Sequence, residues 1–261
     1  MDLGLDRDAA LCIAASSGLG LASATALARE GADVALCGRT PAHVDAAREQ
    51  VGEAGEGAVL AVEADITDAQ EMAALVAETV DRFGGLDHLV TSAGGPPSGT
   101  FLGTDDADWP AAFDLLVMSC VHTLRAAEPH LSDGGGTWTA ITSRTTREVA
   151  DALVLSNAVR RAVIGLVKTA SRELAPAIRA NALLPGAHET ARIRELIEDD
   201  IERGVYADFE EGYADWTADV PLERIGEPRE FGDVVAMLAS DRASYVNGAA
   251  LAVDGGSLRS V

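Results

Sequence analysis

Residues 9 to 20 read AALCIAASSGLG, an apolar run that leads directly into two serines and a Gly-Leu-Gly turn. The apolar run is typical of a buried β-strand, and the alanine-rich segment after it, to about Glu30, has the pattern of an amphipathic helix. A turn between a strand and a helix directs backbone N–H groups and the positive end of the helix dipole towards a bound anion. The residues that we predict to line this anion-binding turn are Ala14, Ser16, Ser17, Gly18, Leu19 and Gly20.

Strand-like runs and helical patterns alternate from this turn to residue 253. The predicted strands cover residues 9–15, 33–37, 58–63, 86–91, 137–143, 179–184 and 249–253. The predicted helices between them cover residues 18–30, 41–50, 68–83, 109–130, 156–175 and 228–239. This alternation predicts an α/β fold of the Rossmann type, a doubly wound parallel sheet with helices on both faces. No linker or change of composition divides the chain, so we predict a single domain over residues 1–261.

Residues 191–223 are an exception to this pattern. The stretch is acidic, lies between two core elements and contains Tyr206, Tyr213 and Trp216. An insertion at this position is most simply a helical lid near a ligand site. A solvated pair of helices with no part in binding is an equally good interpretation.

The composition argues against several classes of protein. A formal net charge of −22 disfavours nucleic acid and anionic membranes as partners, and no apolar stretch is long enough to cross a membrane. The N-terminal sequence lacks the pattern of a signal peptide, and the three cysteines show no metal-ligand spacing. We therefore expect a cytoplasmic protein with reduced thiols and no metal. The acidic surface is most simply a solvated face of the protein. A sharper hypothesis is adaptation to a salt-rich cytoplasm, which would screen the repulsion between carboxylates.

The ends of three further strands supply candidates for a nucleotide site. Gly38 stands where many NAD-binding sites carry an acidic residue, and the adjacent guanidinium of Arg39 suits a 2′-phosphate. We therefore favour NADP(H) over NAD(H), although Arg39 could also be an ordinary residue in the first turn of the next helix. The candidates for the adenine and the ribose are Asp65 and Ile66 after the third strand and Ser92, Ala93 and Gly94 after the fourth.

The segment from Gly136 to Arg160 carries the candidates for chemistry. It contains a strand that ends at Ser143 and the start of a helix on which Ser156 and Arg160, four residues apart, share one side. Because ligands of open α/β sheets bind at the carboxyl ends of the strands, these three side chains are predicted to surround one cleft.

The order of the motifs resembles that of the short-chain dehydrogenase/reductase family. The motifs are AASSGLG at 14–20, CGR at 37–39, DIT at 65–67, TSAG at 91–94, NALLPGAHET at 181–190 and RIGEPREFGDVVAMLASDRASYVNGAALAVDGG at 224–256. The branch that they resemble is the one described as 3-oxoacyl-carrier-protein reductase-like. The resemblance implies an oxidoreductase that binds a nicotinamide dinucleotide, acts on a small carbonyl or alcohol substrate and forms a homotetramer.

The resemblance also implies residue roles and reveals departures from the family pattern. Pro185, Gly186 and Thr190 match cofactor-binding positions, and Thr190 matches the residue that bonds the nicotinamide carboxamide. Ala14 replaces the first glycine of the loop, which we expect to be tolerated if its φ is negative. The family's Asn-Asn-Ala-Gly is Thr91-Ser92-Ala93-Gly94 here.

The family uses four catalytic side chains, Asn, Ser, Tyr and Lys, of which this chain retains only the serine. Ser143 matches the family serine, whereas Ser156, Arg160 and Leu116 occupy the Tyr, Lys and Asn positions. A serine hydroxyl is a far weaker acid than a phenol. Arg160 can still bind the cofactor by donating hydrogen bonds to the nicotinamide ribose, as the family's Lys does, but it stays charged and cannot transfer protons. No tyrosine precedes Tyr206 in the chain, so no shift of the alignment supplies one.

Three interpretations follow. We favour an NADP(H)-dependent oxidoreductase whose proton comes from water, His188, Tyr206 or Tyr213, although we expect His188 to be a loop histidine facing solvent or phosphate. A dinucleotide-binding protein without turnover, acting as a sensor or as a partner subunit, is the alternative. A relative of the halohydrin dehalogenases, suggested by Arg160, is disfavoured because the dinucleotide motifs are retained and the tyrosine is absent.

Overall fold

The computed structural model describes residues 2–260. Its seven strands are β1 Ala9–Ile13, β2 Asp33–Gly38, β3 Val59–Glu63, β4 His88–Thr91, β5 Gly136–Ile141, β6 Ile178–Pro185 and β7 Ala250–Val253. They form one sheet in the order β3-β2-β1-β4-β5-β6-β7, and all six pairings are parallel. The predicted doubly wound α/β fold of the Rossmann type is confirmed.

The helices lie on both faces of this sheet. They are α1 Gly18–Arg29, α2 Pro41–Ala54, α3 Ala69–Phe83, α4 Asp108–Phe113, α5 Ser119–Leu131, α6 Val154–Glu173, α7 Ala191–Glu202, α8 Phe209–Ala218 and α9 Pro228–Ala239. Apolar residues of α1, α2 and α9 cover one face, and those of α3, α5 and α6 cover the other.

Local sequence features determine where several of these helices begin. Proline opens α2 and α9, and Asp68 caps α3 by accepting hydrogen bonds from two backbone N–H groups.

The helix predicted over residues 109–130 is interrupted. A π-helical turn, Asp114–Met118, separates α4 from α5. Such a turn adds one residue to the helix and changes the direction of the side chains after it, a feature that is frequent at functional sites. Leu116 lies inside this turn and is buried in the core beside the sheet. The residue that the resemblance matched to the family's asparagine is therefore an apolar core residue in this structure.

The strand order reverses between β1 and β4, which opens a crevice at the carboxyl ends of the strands. The turn after β1, the segment after β4 and Ser143 after β5 all lie at this edge of the sheet. The crevice therefore receives the candidate residues from three different strands.

The lone lysine of the chain joins α6 to the segment before β7. Lys168 Nζ donates a hydrogen bond to the Gly248 carbonyl at 3.1 Å, and Asn247 Nδ2 donates to the Ser171 carbonyl at 2.9 Å. Gly248 has a φ of +69°, and a Cβ there would lie 2.6 Å from Ser171 Oγ, so only glycine fits this contact.

The sequence predicted reduced cysteine thiols and no segment long enough to cross a membrane. Cys12, Cys37 and Cys120 are buried and free, and burial raises the pKa of all three thiols, that of Cys37 to about 11. Within residues 2–260, no helix combines the length and the apolar character that crossing a membrane requires.

Candidate functional site

The turn after β1 is anchored on the end of β2. The Ala15 N–H donates to the Cys37 carbonyl at 2.8 Å, and the Ala14 N–H lies 3.4 Å from Cys37 Sγ. Gly20 packs so closely that a Cβ there would lie 2.7 Å from the Ala14 carbonyl oxygen. Gly18 has a φ of +57°, which suits glycine. The two glycines of the motif are thus required for different reasons, one for conformation and one for space.

Ala14 does not meet the condition that we set for an alanine at this position. Its φ is +49°, in the left-handed region, rather than negative. The cause is the reversal of the chain at the end of β1, where consecutive N–H groups turn towards Cys37. A non-glycine residue in this region costs about 1–2 kcal/mol. The turn therefore keeps the shape that glycine would give it, at a cost in stability.

We expect Ala14→Gly to raise the free energy of unfolding by about 1 kcal/mol, because glycine adopts a positive φ without steric cost. Urea denaturation followed by circular dichroism measures this change. Ala15→Gly is the matched control: Ala15 is fully buried and has no positive φ, so its replacement should destabilise the protein. A destabilised Ala14→Gly variant would contradict the argument.

A serine of the turn after β1 packs against the end of β2. A Cβ on Gly38 would lie 2.2 Å from Ser16 Oγ, so no larger side chain fits at residue 38. Arg39 is exposed, and the Asp65 carboxylate accepts hydrogen bonds from the Thr67 N–H and hydroxyl at 2.9 and 2.8 Å. These bonds lower the pKa of Asp65, and the positive charge of Arg39 lowers it further. Arg39 and Asp65 are therefore neighbours at this edge.

The remaining predicted cofactor residues fall into two groups. After β4, Ser92 and Ala93 are half-buried, and Gly94 is exposed with open space where its Cβ would lie. Ile66, which follows β3, is buried in the core. After β6, Gly186 packs so closely that a Cβ would lie 2.7 Å from Asp254 Cα. Thr190, which follows Pro185 and Gly186, stands directly before α7 without a capping hydrogen bond from its side chain, and its Cγ2 would lie 3.9 Å from a Cβ on Gly18. The segment after β6 thus returns to the turn after β1.

Ser143, Ser156 and Arg160 are brought together through a fourth residue, Thr145. Ser143 Oγ accepts a hydrogen bond from the Thr145 N–H at 3.1 Å, and the Thr145 hydroxyl lies 3.1 Å from Ser156 Oγ. Arg160 Nε donates to Ser156 Oγ at 3.2 Å. Ser156 is buried and its hydroxyl is engaged on both sides, whereas Ser143 is half-buried with its own O–H available.

Arg160 is a buried cation held by neutral acceptors. Besides Ser156, its guanidinium donates to the Thr142 carbonyl at 3.1 Å and the Gly94 carbonyl at 3.4 Å. Burial lowers the pKa of Arg160 to about 10, so the group remains charged at neutral pH. The guanidinium therefore links the ends of β4 and β5 to α6.

The other three candidates for a proton source have different surroundings. His188 is buried, with Nδ1 3.2 Å from the Gly186 carbonyl and its ring edge-on to Phe231, so the expectation that it faces solvent or phosphate is wrong. Burial lowers the pKa of His188, which disfavours the protonated imidazolium. The Tyr206 hydroxyl donates to Asp215 at 2.6 Å and that of Tyr213 to Glu189 at 2.9 Å.

The surroundings of both phenols make them weaker acids. Partial burial and the Asp215 carboxylate raise the pKa of Tyr206 to about 12, and the hydrogen bond to Glu189 raises that of Tyr213. Neither hydroxyl bonds to Ser143 or Arg160.

Two residues at the crevice were not among the candidates predicted from the sequence. Thr145 joins the hydroxyl groups, and its place two residues after Ser143 was the available signal. Arg192, in the first turn of α7, donates to the Pro96 carbonyl and to Ser98 Oγ, both at 3.4 Å. Its position shortly after Thr190 gave no indication that its guanidinium crosses to the segment after β4.

Comparisons with known proteins agree with this architecture. The family model described as enoyl-(acyl carrier protein) reductase matches residues 13–257. The human dehydrogenase/reductase SDR family member 2, mitochondrial, is 32% identical over 98% of this chain and 90% of its own. L-sorbose reductase from Gluconobacter frateurii, solved in complex with NADPH and L-sorbose, has a TM-score of 0.94 at 28% identity, with 100% of both chains covered.

A further solved structure has a similar fold. A short-chain oxidoreductase from Pseudomonas aeruginosa PAO1, described as containing an atypical catalytic center, has a TM-score of 0.89 at 29% identity, over 98% of this chain and 99% of that one. The family model, the relatives and the fold agree over nearly the whole length. The chain belongs to the short-chain dehydrogenase/reductase family.

Proposed function

We propose that this protein is an NADP(H)-dependent oxidoreductase acting on a carbonyl or alcohol substrate, with Ser143, Ser156 and Arg160 in an atypical active site. The observation that carries the proposal is the linked group of Ser143, Thr145, Ser156 and Arg160 beside the open segment at Gly94. A bound nicotinamide would supply hydride transfer. The glycine turn and Gly94 fit such a dinucleotide, because α1 begins at Gly18 with the N–H groups of its first turn and Gly94 leaves open space. Thr190 lies beside Gly18, where its side chain could contact the cofactor.

Ser143 is the residue that we propose to orient the substrate oxygen. Its Oγ accepts the Thr145 N–H, so its single O–H remains free to donate. Arg160 adds positive charge close to the oxygen that becomes negative as the carbonyl is reduced. Ser156 holds the guanidinium in place rather than supplying a proton, and water supplies the proton in this proposal.

Preference for NADP(H) rests on Arg39 and Gly38. The side chain of Ser16 fills the space at Gly38, and the exposed Arg39 lies beside Asp65. A guanidinium at this place can bind a 2′-phosphate through two charge-assisted hydrogen bonds, and no carboxylate stands at residue 38 to repel it.

We expect Arg39→Ala to weaken NADPH binding by about 10–100-fold and to leave NADH binding nearly unchanged, since one charge-assisted contact contributes about 1.5–3 kcal/mol. Fluorescence titration of each cofactor measures the two affinities. Arg48→Ala is the control. Arg48 is exposed, as Arg39 is, but it lies on α2 and pairs with Asp45. Equal losses for NADPH and NADH would refute the assignment of the 2′-phosphate.

Cofactor titration tests binding, and assays of NADPH oxidation with a panel of ketones, quinones and enones test the proposed activity. Binding of NADPH with turnover supports the oxidoreductase. Tight binding without turnover would favour the alternative, a sensor or partner subunit, which is supported by the absence of a phenol beside Ser143. No binding of either cofactor would defeat both proposals.

We further propose that residues 191–223 form a lid and that the chain is a homotetramer, with the 3-oxoacyl-carrier-protein reductase-like branch as its nearest type. The contact of Arg192 with the segment after β4 supports a lid over the crevice. Exposed apolar side chains at Phe113 and at Leu251, on the edge strand β7, support association through these elements. A monomeric mass by light scattering at high salt would contradict the tetramer.

A further inference from the structure

Arg160 lacks the charged partner that a buried guanidinium normally has. None of the ion pairs formed by residues 2–260 includes Arg160, and all three of its acceptors are neutral oxygens. A buried charge is costly unless an opposite charge and hydrogen bonds compensate it. The guanidinium is therefore placed to receive an anion from outside the chain.

The unused donors of Arg160 suit such an anion. A guanidinium carries five N–H bonds, of which Nε uses its single one on Ser156, while Nη1 and Nη2 each use one on a carbonyl. One N–H remains on each Nη atom. Two donors on the paired terminal nitrogens are the arrangement that binds a carboxylate through both of its oxygens.

Arg192 brings a second guanidinium to the same segment. A Cβ on Gly95 would lie 3.0 Å from Arg192 Nε, and the positive charge of Arg192 is close enough to lower the pKa of Arg160. Arg160 bonds the Gly94 carbonyl, and Arg192 bonds the Pro96 carbonyl, so both cations are held by the same three-residue segment. Arg192 Nη1 also pairs with the exposed Glu195 at 3.4 Å, whereas the bonds of Arg192 to the segment after β4 come from Nη2. A small anion bound by both guanidinium groups would relieve their mutual repulsion.

We propose that Arg160 and Arg192 bind the carboxylate of the substrate, which makes this protein a reductase of 2- or 3-oxo acids or a dehydrogenase of the matching hydroxy acids. The inference rests on the proposed function. The hydroxyl groups of Ser156 and Thr145 join Arg160 to Ser143, so one hydrogen-bonded group of residues would hold both the carboxylate and the reacting oxygen of a short oxo acid.

The reaction balances without a protein acid. The ketone carbon receives a hydride, which is two electrons and one proton, from the reduced nicotinamide; the carbon–oxygen π bond breaks and the oxygen takes one proton from water. A net charge of −22 repels anionic substrates at long range, so binding of an oxo acid would depend on local cations such as Arg160 and Arg192.

The experiment combines binding with turnover. Isothermal titration calorimetry with malonate, which cannot react, measures the anion site in the protein alone, and kcat/KM with acetoacetate and methyl acetoacetate compares the charged and the neutral substrate. The variants are Arg160→Met and Arg192→Met, with Arg161→Met as the control, because Arg161 is the exposed neighbour of Arg160 on α6.

We expect malonate to bind the wild type and Arg161→Met, and both test variants to bind it about tenfold or more weakly. The preference for acetoacetate over its ester should fall by a similar factor. Arg192 is half-exposed, so its variant tests the proposal even if Arg160→Met does not fold. Malonate binding that is absent, or unchanged in the variants, would overturn the proposal.

Two further outcomes separate this proposal from the function on which it rests. If Arg160→Met weakens NADPH binding and leaves malonate binding intact, the anion is a cofactor phosphate and the carboxylate site is refuted. If the wild type binds malonate but neither NADPH nor NADH, the carboxylate site stands and the proposed oxidoreductase function fails.

Discussion

The double variant Ser156→Tyr/Arg160→Lys is expected to reduce neutral ketones with NADPH about 10²–10⁴-fold faster than the wild type, the usual contribution of a positioned general acid. Ser156 and Arg160 lie on one side of α6 with Arg160 Nε 3.2 Å from Ser156 Oγ. A lysine ammonium at residue 160 would therefore lie near a phenol at residue 156 and lower its pKa. The measurement is the initial rate of NADPH oxidation with a simple ketone.

The controls for this gain separate acid catalysis from altered binding. Adding Ser143→Ala to the double variant should remove most of the gain, because the substrate oxygen would lose the hydroxyl that we propose to orient it. Arg160→Lys alone should show no gain, since it provides no acid. Unchanged rates in a double variant that folds and binds NADPH would show that residues 143, 156 and 160 are misassigned.

Gly20→Ala is expected to lower the free energy of unfolding by about 1–3 kcal/mol, the usual cost of inserting a methyl group into a tightly packed site. The added Cβ would lie 2.7 Å from the Ala14 carbonyl oxygen and 3.0 Å from Ala15 Cα. Both are backbone atoms, so α1 must move away from the end of β1. The same movement should weaken NADPH binding, because it displaces the backbone N–H groups of the turn.

Urea denaturation and cofactor titration measure these two effects. Gly165→Ala in α6 and Gly52→Ala in α2 are matched controls, since a Cβ at either position meets no atom within 4 Å. Both should stabilise the protein by up to about 1 kcal/mol through helix propensity. A Gly20→Ala variant as stable as these controls would be inconsistent with the close packing at the turn.

The sequence predicted the fold well, because strand and helix periodicities agree with the turn residues between them. The errors occur where tertiary contacts override local pattern. The π turn at Asp114–Met118 leaves the apolar pattern of its helix intact, so periodicity does not reveal it. The left-handed Ala14 is likewise set by its contact with Cys37, a residue from another strand.

The candidate site was predictable in its residues but only partly in its connections. The positions of Ser143, Ser156 and Arg160 follow from spacing along a strand and a helix. The hydroxyl of Thr145 between them, the burial of His188 against Phe231 and the reach of Arg192 depend on segments distant in sequence. Spacing predicts which side chains share an edge, whereas side-chain packing decides which of them touch.

The contact between Lys168 and Gly248 has a practical consequence. Because this is the only lysine ammonium in the chain, an amine-directed label attaches to one side chain, at the junction of α6 and the edge strand β7. Acylation removes its charge and its hydrogen bond to the carbonyl together. A fluorophore at this amine would therefore report on one border of the sheet while leaving the crevice untouched.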